Sequence, residues 1–175
     1  LMVGSETQKV SSKRIKPGGP ILSLNEISVA GQSKRDSLHD VNLVLNSNEI
    51  LGIAGISGNG QNVLADLISG LVSPDRGAIV LKGVAIENIS PFNMIKAGFG
   101  RIPEDRHRQG IVGGLSVSEN MIIERLDDPQ IQNFGFLRSS VINKNAKTLS
   151  EKYDVRGPGI DQASRLLSGG NIQKL

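Results

Sequence analysis

The chain has 175 residues, 38% of them hydrophobic, and a formal net charge of +3 with no cysteine and only two histidines. The length supports one ordinary domain with a real core rather than two. The missing cysteines exclude disulfides and thiolate metal sites, the isolated His39 and His107 make a poor metal cage, and no apolar run reaches the roughly 18 residues of a membrane span or forms a signal peptide.

These features predict a soluble, cytoplasmic protein without a structural metal. Residues 1–20 carry Lys9, Lys13, Arg14 and Lys16 against Glu6, which accounts for the whole excess of positive charge. The body is therefore neutral. With five aromatic residues in all and no basic stripe, a nucleic-acid surface is not expected. The opening segment is polar and rich in Ser, Gly and Pro, the composition of a linker or disordered tail. Because residue 1 is leucine, it is expected to join the body, residues 21–175, to something upstream.

"ILSLNEISV" (21–29) places Leu22, Leu24, Ile27 and Val29 in imperfect alternation, and "LHDVNLVL" (38–45) alternates at Val41, Leu43 and Leu45. Both read as half-buried strands, expected to pair antiparallel. "EILGIAG" (49–55) is a short continuous apolar run, the pattern of a strand buried on both faces. It leads into a glycine loop, and "QNVLADLISGLV" then sets Val63, Leu64, Leu67, Ile68 and Leu71 on one helical face before the turn "SPDRG". A strand over 78–83 follows, then a short helix capped by Ser90 with Pro91 in its first turn. "FGRI" (99–102) predicts a further strand opening into the charged loop "PEDRHRQG". Ser116 and Glu119 form a capping-box pattern for a helix over 117–126, a second helix is predicted from Ser140 to Tyr153, and "LLSGGNIQKL" holds a helix start.

The glycine loop runs from Gly55 through Ile56, Ser57, Gly58, Asn59, Gly60 and Gln61 to Asn62. A loop between a strand and a helix start offers backbone N–H groups and the positive end of the helix dipole to a phosphate, and glycines allow the close approach. Gly55 and Gly60 hold the glycine positions of the G-x-x-x-x-G-K-[ST] phosphate loop, but Gln61 stands in place of its lysine and Asn62 in place of its Ser or Thr. Gln61 has no charge to neutralise phosphate, and Asn62 is a weaker Mg²⁺ ligand. Taken alone, a phosphate site and a glycine turn that packs helix on strand both stand open. The dinucleotide fingerprint fits worse, because Val63 occupies the position of its third glycine.

"LSGGN", Leu167 to Asn171, is the second motif. Ser168 can cap a helix whose first turn, Gly169 and Gly170, again exposes bare N–H groups. A strand-loop-helix phosphate site followed about a hundred residues later by LSGG resembles the nucleotide-binding domain of ABC transporters. "LSGGNIQK" is similar to the LSGGNQQK signature of the sugar and nucleoside importers in that family. "GFGRIPEDRHRQGIV" resembles their PEDR loop, and "GISGNGQNVLADLISGL" resembles the start of their second ATP-binding half. "YDVRGPG" leans toward the nucleoside subgroup.

The resemblance covers residues 21–175. It implies an α/β P-loop NTPase fold with a flanking antiparallel β-sheet and a partial helical subdomain. It also implies ATP and Mg²⁺ as cofactors, a second nucleotide-binding domain in the same chain, transmembrane permease subunits and, indirectly, a solute-binding protein. The implied location is the cytoplasmic face of the membrane, held there by the permease. In the family, the phosphate loop of one domain faces the signature of the other across ATP. The resemblance therefore implies that Ser168, Gly169 and Gly170, with Leu167 and Asn171 beside them, complete the partner's site, while Gly55 to Asn62 hold ATP weakly or only structurally.

Glu104 falls where the family carries the glutamine that senses Mg²⁺ and the attacking water, so Asn62 and Glu104 are the candidate metal contacts. No aromatic stands near Val29 to Gly31, where the family stacks adenine. The Walker B aspartate, catalytic glutamate and switch histidine of the family have no counterpart in these residues, so this stretch by itself is expected to lack ATPase activity. "EDRHR" reads either as a solvated charged loop or as surface near the membrane subunit. Two other functions remain: a non-catalytic coupling module, and a soluble ABC-type ATPase without a membrane partner.

Overall fold

The computed structural model describes residues 15–31, 33, 35–56 and 58–175. Most of the predicted tail, and Ser57, lie outside the described residues. The chain divides into two compact units, residues 1–97 and 98–175.

The first unit is built on an antiparallel sheet in the order β2-β1-β3-β4, with β1 Pro20–Val29, β2 Leu38–Asn46, β3 Arg76–Leu81 and β4 Val84–Ala85. The imperfect alternation in β1 has a physical cause. Leu22 and Leu24 are buried, and so are Ile27 and Val29, although the step from 24 to 27 is odd. Pairing with both neighbours shifts register between residues 24 and 28, and Glu26 sits at φ 50°, so an extra residue bulges out and returns the next two apolar side chains to the core. Lys82 and Gly83, both at positive φ, form the two-residue turn between β3 and β4.

α1 spans Gln61–Ile68 and buries Leu64 and Leu67. It ends in a Schellman motif: Leu71 N–H donates to Asp66 O (2.8 Å) and Gly70 N–H to Leu67 O (3.0 Å), with Gly70 at φ 77°. A side chain at 70 would also meet the Ser90 carbonyl carbon at 2.5 Å. This stop corrects the predicted helical face, because Leu71 lies beyond it and is exposed. α2, Pro91–Lys96, starts as expected, with Ser90 Oγ accepting from Asn93 N–H (3.3 Å).

The predicted strand over 49–55 does not form. No strand pairs with this stretch among the described residues, and Ile50 is fully exposed (100%). A strand buried on both faces is stable only between neighbours that take its backbone hydrogen bonds, and the sheet here ends at β2.

The second unit holds α3 Val117–Asn120, the hairpin β5 Gln132–Asn133 and β6 Phe136–Leu137, α4 Ser139–Lys152 and α5 Gly169–Lys174. One apolar cluster joins Val117, Leu167 and Ile172, and another joins Ile122, Ile131 and Ile142. The predicted strand over 99–102 is likewise irregular, with Ile102 74% exposed. The capping box is present in full, yet the helix it starts stops at Asn120 instead of reaching 126. The Asn120 side chain bonds its own neighbourhood, donating to the carbonyls of Ser116 (2.9 Å) and Val112 (3.1 Å) and accepting from Val112 N–H (2.8 Å), which competes with helical continuation. A 3₁₀ turn at Ile123–Arg125 follows.

Candidate functional site

The glycine loop opens into α1 at Gly60 as expected, but without the strand that the spacing implies ahead of it. Gly58 (φ 84°) and Gly60 (φ 83°) occupy the left-handed region that glycine adopts without penalty. A side chain at 60 would come within 3.0 Å of Leu38 Cδ2 and 3.4 Å of Ser37 O, so the loop is packed onto the start of β2. Gly60 is the N-cap of α1 and brings no capping side chain. The Gln61 amide folds back over Gly55, with its Nε2 2.2 Å from where a β-carbon at 55 would lie. A neutral amide thus covers the loop.

Sequence reading missed Asp36. Its Oδ1 lies 3.8 Å from the β-carbon position of Gly58, which puts a carboxylate beside the loop. Its signal was no more than an acidic residue in the loop ahead of β2. The chain at 30–31 is held in place by Ala30 N–H donating to Asp75 Oδ2 (2.7 Å) and Gly31 N–H to Ser37 Oγ (3.1 Å). Position 61 carries no cation to neutralise phosphate, and the Asp36 carboxylate stands beside Gly58. Asn62 is exposed in the first unit, and Glu104 is exposed in the second, in the bend before the π-helical turn Arg106–Gly110.

The LSGGN segment is held far more firmly. Upstream, Val117 N–H donates to Gln162 O (3.0 Å), Ser118 N–H to Ile160 O (2.9 Å) and Ser164 N–H to Leu115 O (2.9 Å), a short ladder that pins the approach to Leu167. Ser164 is fully buried, and its hydroxyl meets Asn120 Nδ2 (3.0 Å) and Val112 O (3.2 Å). Leu167 is buried, with its side chain packed against Val117 and Ile172. Ser168 and Gly170 are exposed, and Gly169 is half-buried beside His107 and Arg106.

Ser168 stands at the N-cap of α5 but makes no capping bond with its side chain, contrary to expectation. Its hydroxyl meets Asn171 Nδ2 at 2.9 Å, while its carbonyl accepts from Asn171 N–H and Ile172 N–H (both 2.9 Å). Asn171 in turn accepts from Arg156 N–H through Oδ1 (2.8 Å). The far end of α5 is tied as well, where Lys174 Nζ donates to Asp154 O (2.7 Å) and Oδ2 (3.2 Å). Asp154 is the left-handed residue (φ 53°) that closes α4 in a second Schellman motif. Hydrogen bonds from Arg156 first, and from Lys174 second, hold the Asp154 carboxyl below the usual range. Arg106, in the "EDRHR" cluster, donates to Gln173 Oε1 and so ties the turn to α5, while Glu104, Asp105, His107 and Arg108 are exposed.

A phosphate-type glycine loop opening a helix on one unit and a signature-type helix start on the other define the class: a P-loop ATP-binding cassette. Solved structures agree at the level of fold. A bacterial ABC transporter cassette solved as a dimer matches 88% of this chain and 66% of its own with a TM-score of 0.67 at 17% identity. A post-hydrolysis dimer of an ATP-binding cassette bound to ADP and Pi matches with a TM-score of 0.63 at 18% identity, with the same coverage. The sequence profile described as ABC transporter matches residues 38–175, and the chain belongs to that family.

Among its relatives, the guanosine import ATP-binding protein of Bacillus subtilis is 37% identical over 175 residues, covering 99% of this chain and 34% of the relative. The nucleoside import ATP-binding protein of Lactococcus lactis is 35% identical over 175 residues, covering 99% and 35%. A putative ribose/galactose/methyl galactoside import ATP-binding protein of Geobacillus kaustophilus is 33% identical over 174 residues, covering 99% and 33%. The chain thus spans about a third of the length of the curated relatives it matches.

Proposed function

We propose that this chain is part of the second ATP-binding half of an importer ATPase for nucleosides or simple sugars, and that its two glycine motifs have unequal duties. The relatives, named for import of guanosine, nucleosides and sugars, support the substrate class. In this reading, Ser168, Gly169 and Gly170 face ATP held on the phosphate loop of a partner nucleotide-binding domain, where ATP supplies the scissile γ-phosphate. The chain's own loop, Gly55 to Asn62, is a packed turn that holds nucleotide weakly. The observation that carries the asymmetry is the contrast in surroundings: Gln61 covers the first motif and Asp36 stands beside it, whereas Ser168 is exposed on a helix tied down at Asn171, Gln173 and Lys174. Permease subunits, and through them a solute-binding protein, are the expected partners at the membrane.

The test is ATP turnover by the full-length protein assembled with its permease. Ser168→Phe should lower kcat about a hundredfold or more, because a bulky ring at the motif blocks approach to the triphosphate. Gln61→Lys should leave kcat within about twofold of wild type, since one added charge does not remove the Asp36 carboxylate. Equal losses from disrupting either motif would sink the asymmetric reading. The isolated 175-residue chain should show no ATPase activity, and turnover that survives purification controls would contradict this. A purely mechanical coupling module is the second reading, favoured by the uncharged cover over Gly55. Calorimetry on the full-length protein decides between them, because absence of any ATP binding there would select the mechanical module.

A further inference from the structure

Asn171 makes two hydrogen bonds whose directions are linked. Arg156 N–H is a donor only, so the atom facing it must be the Asn171 carbonyl oxygen, at 2.8 Å. That choice fixes the amide, which leaves Nδ2 facing Ser168 Oγ at 2.9 Å. Nδ2 is itself a donor only, so the serine oxygen accepts and its proton must point elsewhere. Ser168 is exposed, and no described residue takes that proton. The Arg156 end of this relay is itself fixed: the Arg156 guanidinium bonds Asp154 Oδ1 (2.7 Å), and Lys174 of α5 bonds the same carboxylate.

We propose that Asn171 is a positioning residue: it turns the Ser168 hydroxyl into an outward hydrogen-bond donor aimed at an anionic oxygen on the opposing domain. The inference rests on the reading of Ser168 given above and concerns how that residue is set. A serine hydroxyl is otherwise free to rotate and can offer either its proton or its lone pairs. With Asn171 donating to it, one of the two lone pairs is taken and the proton is kept from pointing back along Nδ2, which leaves it turned outward to be given to a phosphate oxygen. Asn171 does this from within its own helix, without touching the phosphate.

The experiment uses the full-length protein with its permease and measures kcat and KM for ATP in Ser168→Ala, Asn171→Asp, Asn171→Ala and both double variants. Aspartate is nearly isosteric and keeps an acceptor for Arg156 N–H, but presents a second acceptor to Ser168 and so draws the serine proton inward. Asn171→Asp is expected to lower kcat at least about tenfold with KM within about twofold, and Asn171→Ala about threefold to tenfold. Placed on Ser168→Ala, either change should cost no more than about a further twofold, because the group it acts through has gone. Thermal unfolding of each variant controls for folding, and the uncharged Asn171→Ala separates the reversed hydrogen bond from the added charge. If both Asn171 variants cost as much on the Ser168→Ala background as they do with the serine in place, Asn171 does not act through the serine; the positioning role is overturned while the function proposed for Ser168 stands. If Ser168→Ala leaves turnover unchanged, the reading of the motif fails and the relay fails with it.

Discussion

The two glycine motifs look alike as strings, each a run of small residues opening a helix, yet they are built in opposite ways. Gly55 to Asn62 takes its shape from backbone: left-handed glycines at 58 and 60, a bare cap, and close packing on Leu38. Ser168 to Asn171 takes its shape from side chains, through Asn171 to Arg156, Lys174 to Asp154, and Asn120 to the Ser164 that precedes it. Backbone-made loops tolerate loss of function in their polar residues, because their form does not depend on them. Side-chain-made loops keep their polar groups or lose their geometry.

This contrast can be broken by mutation, and the largest effect is expected at Asn120. Its two amide protons are shared among the Ser116 and Val112 carbonyls and the Ser164 hydroxyl, and its oxygen accepts from Val112 N–H, so Asn120→Leu would leave that N–H without its partner and strip one hydrogen bond from each of the others. A loss of about 3 kcal/mol is expected, read as a lowered denaturation midpoint, with the signature segment loosened in hydrogen exchange and residues 55–62 unaffected. Next comes Ser116→Ala, which removes the cap that accepts from Glu119 N–H (3.1 Å) and should cost about 1 kcal/mol in the same assay.

Acid should also separate the two motifs. The Ser116 backbone N–H first, and its hydroxyl second, hold the Glu119 carboxyl below its ordinary value, and Arg156 and Lys174 do the same for Asp154. A carboxyl depressed in the folded state adds stability that is present above its unfolded pKa, about 4, and is lost as pH falls through the lower folded value. Protection around residues 154–174 is therefore expected to fade below about pH 4 before protection around α1 does, as followed by hydrogen exchange against pH. The smallest effect belongs to the first motif. Asp36→Asn removes the carboxylate beside Gly58 and should raise nucleotide affinity at this loop about two- to threefold by calorimetry. A gain of about tenfold would mean that Asp36, more than the missing lysine, keeps phosphate away.

Much of this architecture is legible from the residues because local chemistry and burial agree. The alternation in β1 and β2, the Ser90 cap, the capping box at Ser116 and α4 all appear where they are expected. The apolar runs at 49–55 and 99–102 do not become strands, since periodicity reports what a segment prefers and not whether a neighbour is there to pair with it. The hairpin at 132–137 was hidden for another reason. Its turn places Phe134 (φ 49°) and Gly135 (φ 83°) at the two left-handed positions, and phenylalanine is a poor herald of such a turn where asparagine would have announced it. At the site, the glycines and Ser168 could be picked out from spacing alone. The relay through Asn171 and the approach of Asp36 depend on contacts between residues 15 and 22 positions apart, which no short motif encodes.

The bulge at Glu26 carries a rule for editing this protein. Because the bulge absorbs one extra residue between Leu24 and Ile27, removing one amino acid at 25–26 would leave plain alternation with Ile27 and Val29 still inward, whereas inserting one beyond the bulge, between Glu26 and Ile27, would turn them toward water and bring Ser28 into the oily side of the sheet. At the bulge the strand can lose one residue without any change of facing, while elsewhere its length can change only in steps of two.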